Sequence, residues 1–231
     1  LVEAGNATLE RVLVSNTRSW DVDDRYGRGL MVDGGEIVTV NGGVFANNME
    51  TAISVNSGEG DGVSHVILND VMVRDTRSRD DYTMGRGLVL DSDTSAEVNR
   101  SVFQNNREFA IGLLDGSASI QMADVWITDT ISDVSGSMGR GLNVENGAMV
   151  DADRVVVSGS VDYGATLSGD DFPNELELDD LVIRDTVGDS DGHYGRGIRI
   201  NGGIHVTISR ALFSGNHDVG VVVAGTGTLL T

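Results

Sequence analysis

The side chains of this 231-residue chain best suited to chemistry are acidic, and they gather in four short segments. Arg18 to Tyr26 carries Trp20, Asp21, Asp23 and Asp24; Arg77 to Met84 carries Asp80, Asp81 and Tyr82. Ile131 to Met138 carries Asp133; Val187 to Tyr194 carries Asp189, Asp191 and His193. Asp21-x-Asp23 and Asp189-x-Asp191 supply hard oxygen ligands of the kind calcium takes, so these four aspartates are the metal candidates and calcium is the one cofactor with candidate ligands. Neither segment has EF-hand spacing, and Arg18, Arg25, Arg77 and Arg79 offer nearby acids ion-pair partners instead. Trp20, Tyr82 and His193 add groups that could contact a glycan or a partner protein.

Catalysis finds less support. Glycoside cleavage needs paired carboxylates in unlike environments, whereas these acids recur at equivalent places. Among four histidines, only His193, in Asp191-Gly192-His193, has a site-like setting. The absence of cysteine removes thiol catalysis, disulfides and Cys-based zinc sites. No Gly-x-Ser-x-Gly elbow occurs.

The acidic segments recur because the chain does. Each ends at Gly-Arg-Gly-Leu/Ile, which starts at Gly27, Gly85, Gly139 and Gly195 and gives a period of about 56 residues. Each period divides into a longer and a shorter coil. The longer holds an apolar stretch before Asn/Asp-Thr, as in Val71-Met72-Val73-Arg74-Asp75-Thr76. The shorter holds its counterpart, as in Val102-Phe103-Gln104-Asn105-Asn106. β-branched alternation broken by Gly, Asn and Asp predicts strands of three to five residues with one face buried. The insertion before Gly-Arg-Gly is what lengthens alternate coils. All four insertions should therefore leave one edge of the stack, where a rigid scaffold presents its binding loops.

Three short strands per coil and about eight coils describe an all-β, right-handed parallel β-helix in four two-coil repeats, one domain over residues 1–231. On these motifs the chain resembles the pectin-lyase-like β-helix superfamily along nearly its whole length. That resemblance implies the fold; the activity it implies in the enzymes of the class is cleavage of polysaccharides. A calcium-binding glycine-rich roll has only Gly58-Glu59-Gly60-Asp61-Gly62 in its favour. Gly225-Thr226-Gly227-Thr228-Leu229 reads like Gly5-Asn6-Ala7-Thr8-Leu9, one period restarting. The expected object is therefore a segment of a longer solenoid, or one that stacks on itself.

Stacking brings equivalent residues about 4.8 Å apart. One column then reads Arg11, Gly42, Asp70, Arg100, Asp124, Arg154, Asp180 and Arg210, a ladder of alternating sign that resists register slips. A second alternates Thr17, Thr76, Thr130 and Thr186 with Asn48, Asn106, Ser160 and Asn216, a polar ladder at a turn. The third carries Arg28, Arg86, Arg140 and Arg196, alternating with Thr51, Phe109, Tyr163 and Val219, and predicts guanidinium stacking on aromatic faces.

Composition narrows the partners. The formal charge is −20, with all 16 basic residues arginine, which sets nucleic acid aside because its phosphates would be repelled. No stretch is apolar for long enough to span a membrane as a helix. The expectation is a non-catalytic extracellular or cell-surface stalk, adhesin or filament segment that contacts itself or surface glycans. A polysaccharide-cleaving enzyme and a calcium-dependent surface-layer protein are the alternatives.

Overall fold

A computed structural model describes residues 5–19, 27–58, 62–79, 83–136, 138–169 and 175–231. The described residues contain strands and turns and no helix, and the strands lie in two sheets. One sheet stacks Asn6–Ser15, Ile37–Ala46, Ser64–Arg74, Thr94–Asn99 with Val102–Gln104, Ser119–Thr128, Met149–Ser158, Glu175–Arg184, His205–Ser209 with Leu212–Ser214, and Leu229–Leu230. The other stacks Leu30–Val32, Thr51–Val55, Arg86–Leu90, Phe109–Leu113, Arg140–Val144, Tyr163–Ser168, Arg196–Asn201 and Val221–Ala224. The chain visits the two sheets in turn, and strands adjacent in each sheet pair parallel. Parallel neighbours need a crossover; here each sheet serves as the crossover for the other, which is a parallel β-solenoid.

The longest strands run to 10 or 11 residues, where the sequence predicts three to five. They bend instead of ending. The bend falls at one column: Arg11 (φ 51°), Gly42 (69°), Asp70 (56°), Arg100 (48°), Asp124 (57°), Arg154 (55°), Asp180 (48°) and Arg210 (50°). All eight are left-handed, and the ladder skips them, passing from Glu10↔Asn41 to Val12↔Gly43. Each strand thus becomes two arms. A left-handed conformation costs a non-glycine residue about 1–2 kcal/mol, and Arg has no local bond to soften it. Hydrogen bonding to the turns above and below must hold it there.

One turn shows how the core is filled. Val66 and Leu68 come from the first arm, Val71 and Val73 from the second, and Leu88 and Leu90 from the other sheet, all buried. Phe45 and Phe103 are fully buried where five other turns carry Val or Ile and the last carries the half-buried Phe213. Gly43 and Ser101, two residues earlier, make room for them: a Cβ on Gly43 would lie 2.9 Å from the Val40 side chain and 3.4 Å from the Phe45 ring.

The restart at Gly225 is displaced from the sequence alignment. Leu229 pairs with His205, and that column leads back through Glu175, Met149, Ser119, Ser95, His65 and Ile37 to Asn6. Leu229 therefore stands in the column of Asn6, three residues from Leu9. Gly225 (φ 91°) and Gly227 (φ 78°) turn the chain before the strand begins.

Phe103→Ala is expected to cost about 3–5 kcal/mol, the value for a buried ring whose neighbours relax only partly. Urea or thermal melting measures it, and an unchanged midpoint would contradict the interior placement.

Candidate functional site

The described parts of the insertions leave and rejoin the stack at one edge. Arg77, Ile131 and Val187 open their insertions by bridging to Met49, Arg107 and Val161 on the preceding turn. Met84 (φ 67°), Met138 (φ 70°) and Tyr194 (φ 64°) turn left-handed to close them. The third and fourth loops touch each other across the short turn between them, where Ser190 N–H donates to the Gly136 carbonyl at 3.3 Å. Trp20, Asp21, Asp23, Asp24, Asp80, Asp81 and Tyr82 lie outside the described residues.

Gly-Arg-Gly rejoins the stack for steric reasons. A Cβ on Gly29 would stand 2.5 Å from the Ala52 carbonyl, and Gly87, Gly141 and Gly197 meet the carbonyls of Ala110, Gly164 and Gly220 in the same way. The first glycine is left-handed in three copies, Gly85, Gly139 and Gly195, and packs on the side chain of Arg107, Val161 or His217. Only glycine fits either position.

The arginine between the glycines is clamped. Arg86 forms a two-pronged pair with Glu108 at 2.6 and 2.9 Å. Arg28 faces Glu50 at 3.4 Å, Arg140 faces Asp162 at 3.5 Å and Arg196 faces Asp218 at 2.7 Å. In every copy the acid follows its arginine by 22 residues, as in Arg86 and Glu108. Sequence reasoning missed these four acids, although the constant interval was in view. Three of them also bind the next long turn through their backbone. The Glu50 carbonyl accepts from Gly85 and Arg86, that of Glu108 from Arg140, and that of Asp162 from Gly195 and Arg196. Each acid thus ties the arginine before it to the glycine-arginine turn after it.

The expected arginine–aromatic stack is present. Arg86 lies 4.5 Å from the Phe109 ring centre. Tyr163 lies between Arg140 at 5.8 Å and Arg196 at 5.9 Å. Tyr194, 43% exposed, sits 5.6 Å from Tyr163 and 5.1 Å from Arg196. Together with His193, His217 and Asp218 it walls a shallow depression of about 450 Å³.

Of the calcium candidates, Asp189 and Asp191 lie among the described residues. One Asp189 carboxylate oxygen already accepts the backbone N–H of Asp191 at 3.0 Å and of His193 at 2.8 Å, closing the loop on itself. Asp133 is likewise taken up locally, accepting Ser135 Oγ at 2.6 Å. Among the described residues the three carboxylates close enough to share an ion are Asp153, Asp179 and Asp180, away from the loops. Those are engaged too, Asp153 by Arg154 and Asp179 and Asp180 by Arg210.

The charged column proves to be a set of pairs. Arg100 donates to both carboxylate oxygens of Asp70 at 2.9 Å, Arg154 to those of Asp124 at 2.6 and 3.0 Å, and Arg210 to those of Asp180 at 2.7 and 3.1 Å. The hydrogen-bonding guanidinium holds each of these carboxyls below the usual range. Each arginine reaches back one turn. Exposed pairs of this kind stabilise little; their value is that a slipped turn finds no partner.

Six of the eight residues of the Thr/Asn column are buried, and the column does more. Asn106 Oδ1 accepts the N–H of Thr76 at 3.3 Å and its hydroxyl at 2.7 Å, while its amide donates to the Val73 carbonyl at 3.1 Å. Asn48 serves Thr17 and Val14 the same way, and Asn216 serves the N–H of Thr186 and the carbonyl of Ile183. In the third repeat Ser160 is too short to reach across, and the buried Thr130 hydroxyl has no bond.

Asn106→Ala would take from the buried Thr76 N–H and hydroxyl the acceptor they share, and each such group costs about 1–3 kcal/mol; a fall in melting temperature comparable to that of Phe103→Ala is expected. Asp162 gives a pH test. Burial pushes its carboxyl up to about 6, against the pull of Arg140. Its unfolded value is about 3.9, so the folded state holds this proton more tightly. The stability it contributes is full below about pH 4 and is lost as pH rises through 6. The melting temperature of Asp162→Asn minus that of the wild type should grow more positive from pH 4 to pH 7; a flat or falling difference would refute the assignment.

In comparisons with known proteins, no family model, no curated protein and no solved structure matches the chain.

Proposed function

We propose that the chain is a right-handed parallel β-helix of about eight coils in four two-coil repeats, of the pectin-lyase-like kind, and that its work is mechanical. It would serve as a non-catalytic extracellular stalk, adhesin or filament segment. The hand is the one that parallel crossovers take in about 98% of cases. The observation that carries the non-catalytic reading is how the repeat acids are used. Glu50, Glu108, Asp162 and Asp218 face arginines, and so do Asp70, Asp124 and Asp180. Acids paired alike on successive turns are poor material for an acid/base couple, which needs two unlike environments.

The adhesive part of the reading falls to the depression at Tyr194. An exposed aromatic ring rimmed by His193, His217 and Asp218 suits a sugar ring whose apolar face stacks while its hydroxyls are hydrogen-bonded. One observation favours a second reading, a polysaccharide lyase or hydrolase: Asp162 has the raised pKa that a general acid needs. Its side chain is only 7% exposed and faces Arg140, which argues against substrate access. The calcium-dependent surface-layer alternative would draw on Asp21, Asp23, Asp189 and Asp191.

Incubating the purified protein with acidic and neutral polysaccharides tests the choice. No new reducing ends or unsaturated products are expected. Product release that is abolished by Asp162→Asn or by a single loop substitution such as Asp189→Asn would overturn the non-catalytic reading.

A further inference from the structure

The second arm of the bent strands has an outward face, and one column of side chains covers it. Register carries this column from Leu13 through Met72, Val102, Trp126 and Val156 to Leu212, with a valine at each of the two remaining turns. Every turn is therefore apolar at the position that faces away from the core. Leu13, Trp126 and Leu212 are 70, 59 and 53% exposed. Seven intervals of about 4.8 Å make the stripe about 34 Å long. A contiguous exposed apolar strip rimmed by polar residues is the kind of surface that takes a partner.

Its borders say what fits. On one side runs the bend column, with four arginines and three aspartates, a net +1. On the other side two columns hold Arg74 and Arg184 against Asp75, Asp129 and Asp185, a net −1. The borders sum to zero on a chain whose formal charge is −20. This is a face on which two copies can approach without the repulsion they meet elsewhere. A partner must also present a side chain every 4.8 Å or so, which another stack of the same spacing does. A two-fold axis parallel to the stack sets turn against turn, so the bend arginines Arg11, Arg100, Arg154 and Arg210 meet the neutral Asn16, Asn105, Gly159 and Gly215 of the other copy; Asp70 and Asp180 meet Arg74 and Arg184 beside Asp75 and Asp185, and Asp124 meets Asp129.

We propose that this stripe is the face on which two copies of the chain meet side by side, each residue opposite its own counterpart. Arm and borders span about 16 Å along the strand, so the contact covers roughly 540 Å² per copy, or about 1,100 Å² in all. That passes the threshold of about 1,000 Å² for a specific interface without reaching the usual 1,600 Å². A dimer of micromolar affinity is the expectation. The inference does not depend on whether the chain is catalytic.

Sedimentation velocity of the intact chain over roughly 1–100 µM at physiological salt tests it. The wild type should dimerise, and the double variant Trp126→Gln, Val156→Gln should weaken dimerisation roughly 100-fold. Circular dichroism and melting temperature should stay unchanged, because both positions lie outside the core. The chain has no cysteine, so Val102→Cys can be oxidised alone and should cross-link two copies at the same turn. A wild type that stays monomeric overturns the proposal. So does a dimer indifferent to the double variant, or one that Val102→Cys fails to cross-link.

Discussion

In a parallel stack each backbone N–H and C=O bonds to the residue one turn away, so every turn must have the same shape. That constraint governs this chain more than the preferences of its individual residues. It explains why the bend column is left-handed at eight successive turns although four of its members are arginine. It explains a second left-handed column at the next corner, where Asn16, Asn47, Asp75, Asn105, Asp129 and Asp185 alternate late in the chain with Gly159 and Gly215. There the residue types suit the conformation. At the bend they do not, and the neighbouring turns supply what the residue type lacks.

Much of the fold was legible because repetition makes columns. The period set by Gly-Arg-Gly fixed which residues stack, and the pairings Thr51↔Arg86, Phe109↔Arg140 and Tyr163↔Arg196 fall in the aligned column. What escaped notice was conformational. Asp70 and Arg100 look like ordinary outward strand positions, and nothing in their types announces a bend. The clamp acids are not legible within any single column, because each pairs across columns: Glu108 stands one residue from the column of Phe109 and Arg86. The outer stripe left a clear sign. Val71-Met72-Val73 and Val125-Trp126-Ile127 are three apolar residues in a row, and strict alternation forces the middle one outward.

The candidate site was legible only in outline. Insertions leave and rejoin the stack at one edge, but Asp189 spends a carboxylate oxygen on its own loop. Sequence spacing counts ligands and cannot see that use. The reverse holds for Asp162. As a sequence position it is one more acid; burial, with the Asp189 charge nearby, raises its pKa to about 6 against the pull of Arg140.

The pairing of each turn with the next also sets how the molecule comes together. The widest sheet pairing, Thr51 with Arg86, joins residues 35 apart, about 0.15 of the chain. Sandwiches and barrels of β-strands have average separations near 0.16–0.22, so even the longest loop closed here is short by their standard. Order can begin at any repeat and spread turn by turn, as in a one-dimensional lattice with nearest-neighbour coupling. A weak turn then acts as a local barrier to that spreading. The third repeat, with Ser160 where its equivalents hold asparagine, is where the front should hesitate and where fraying from an end should first pause or break through.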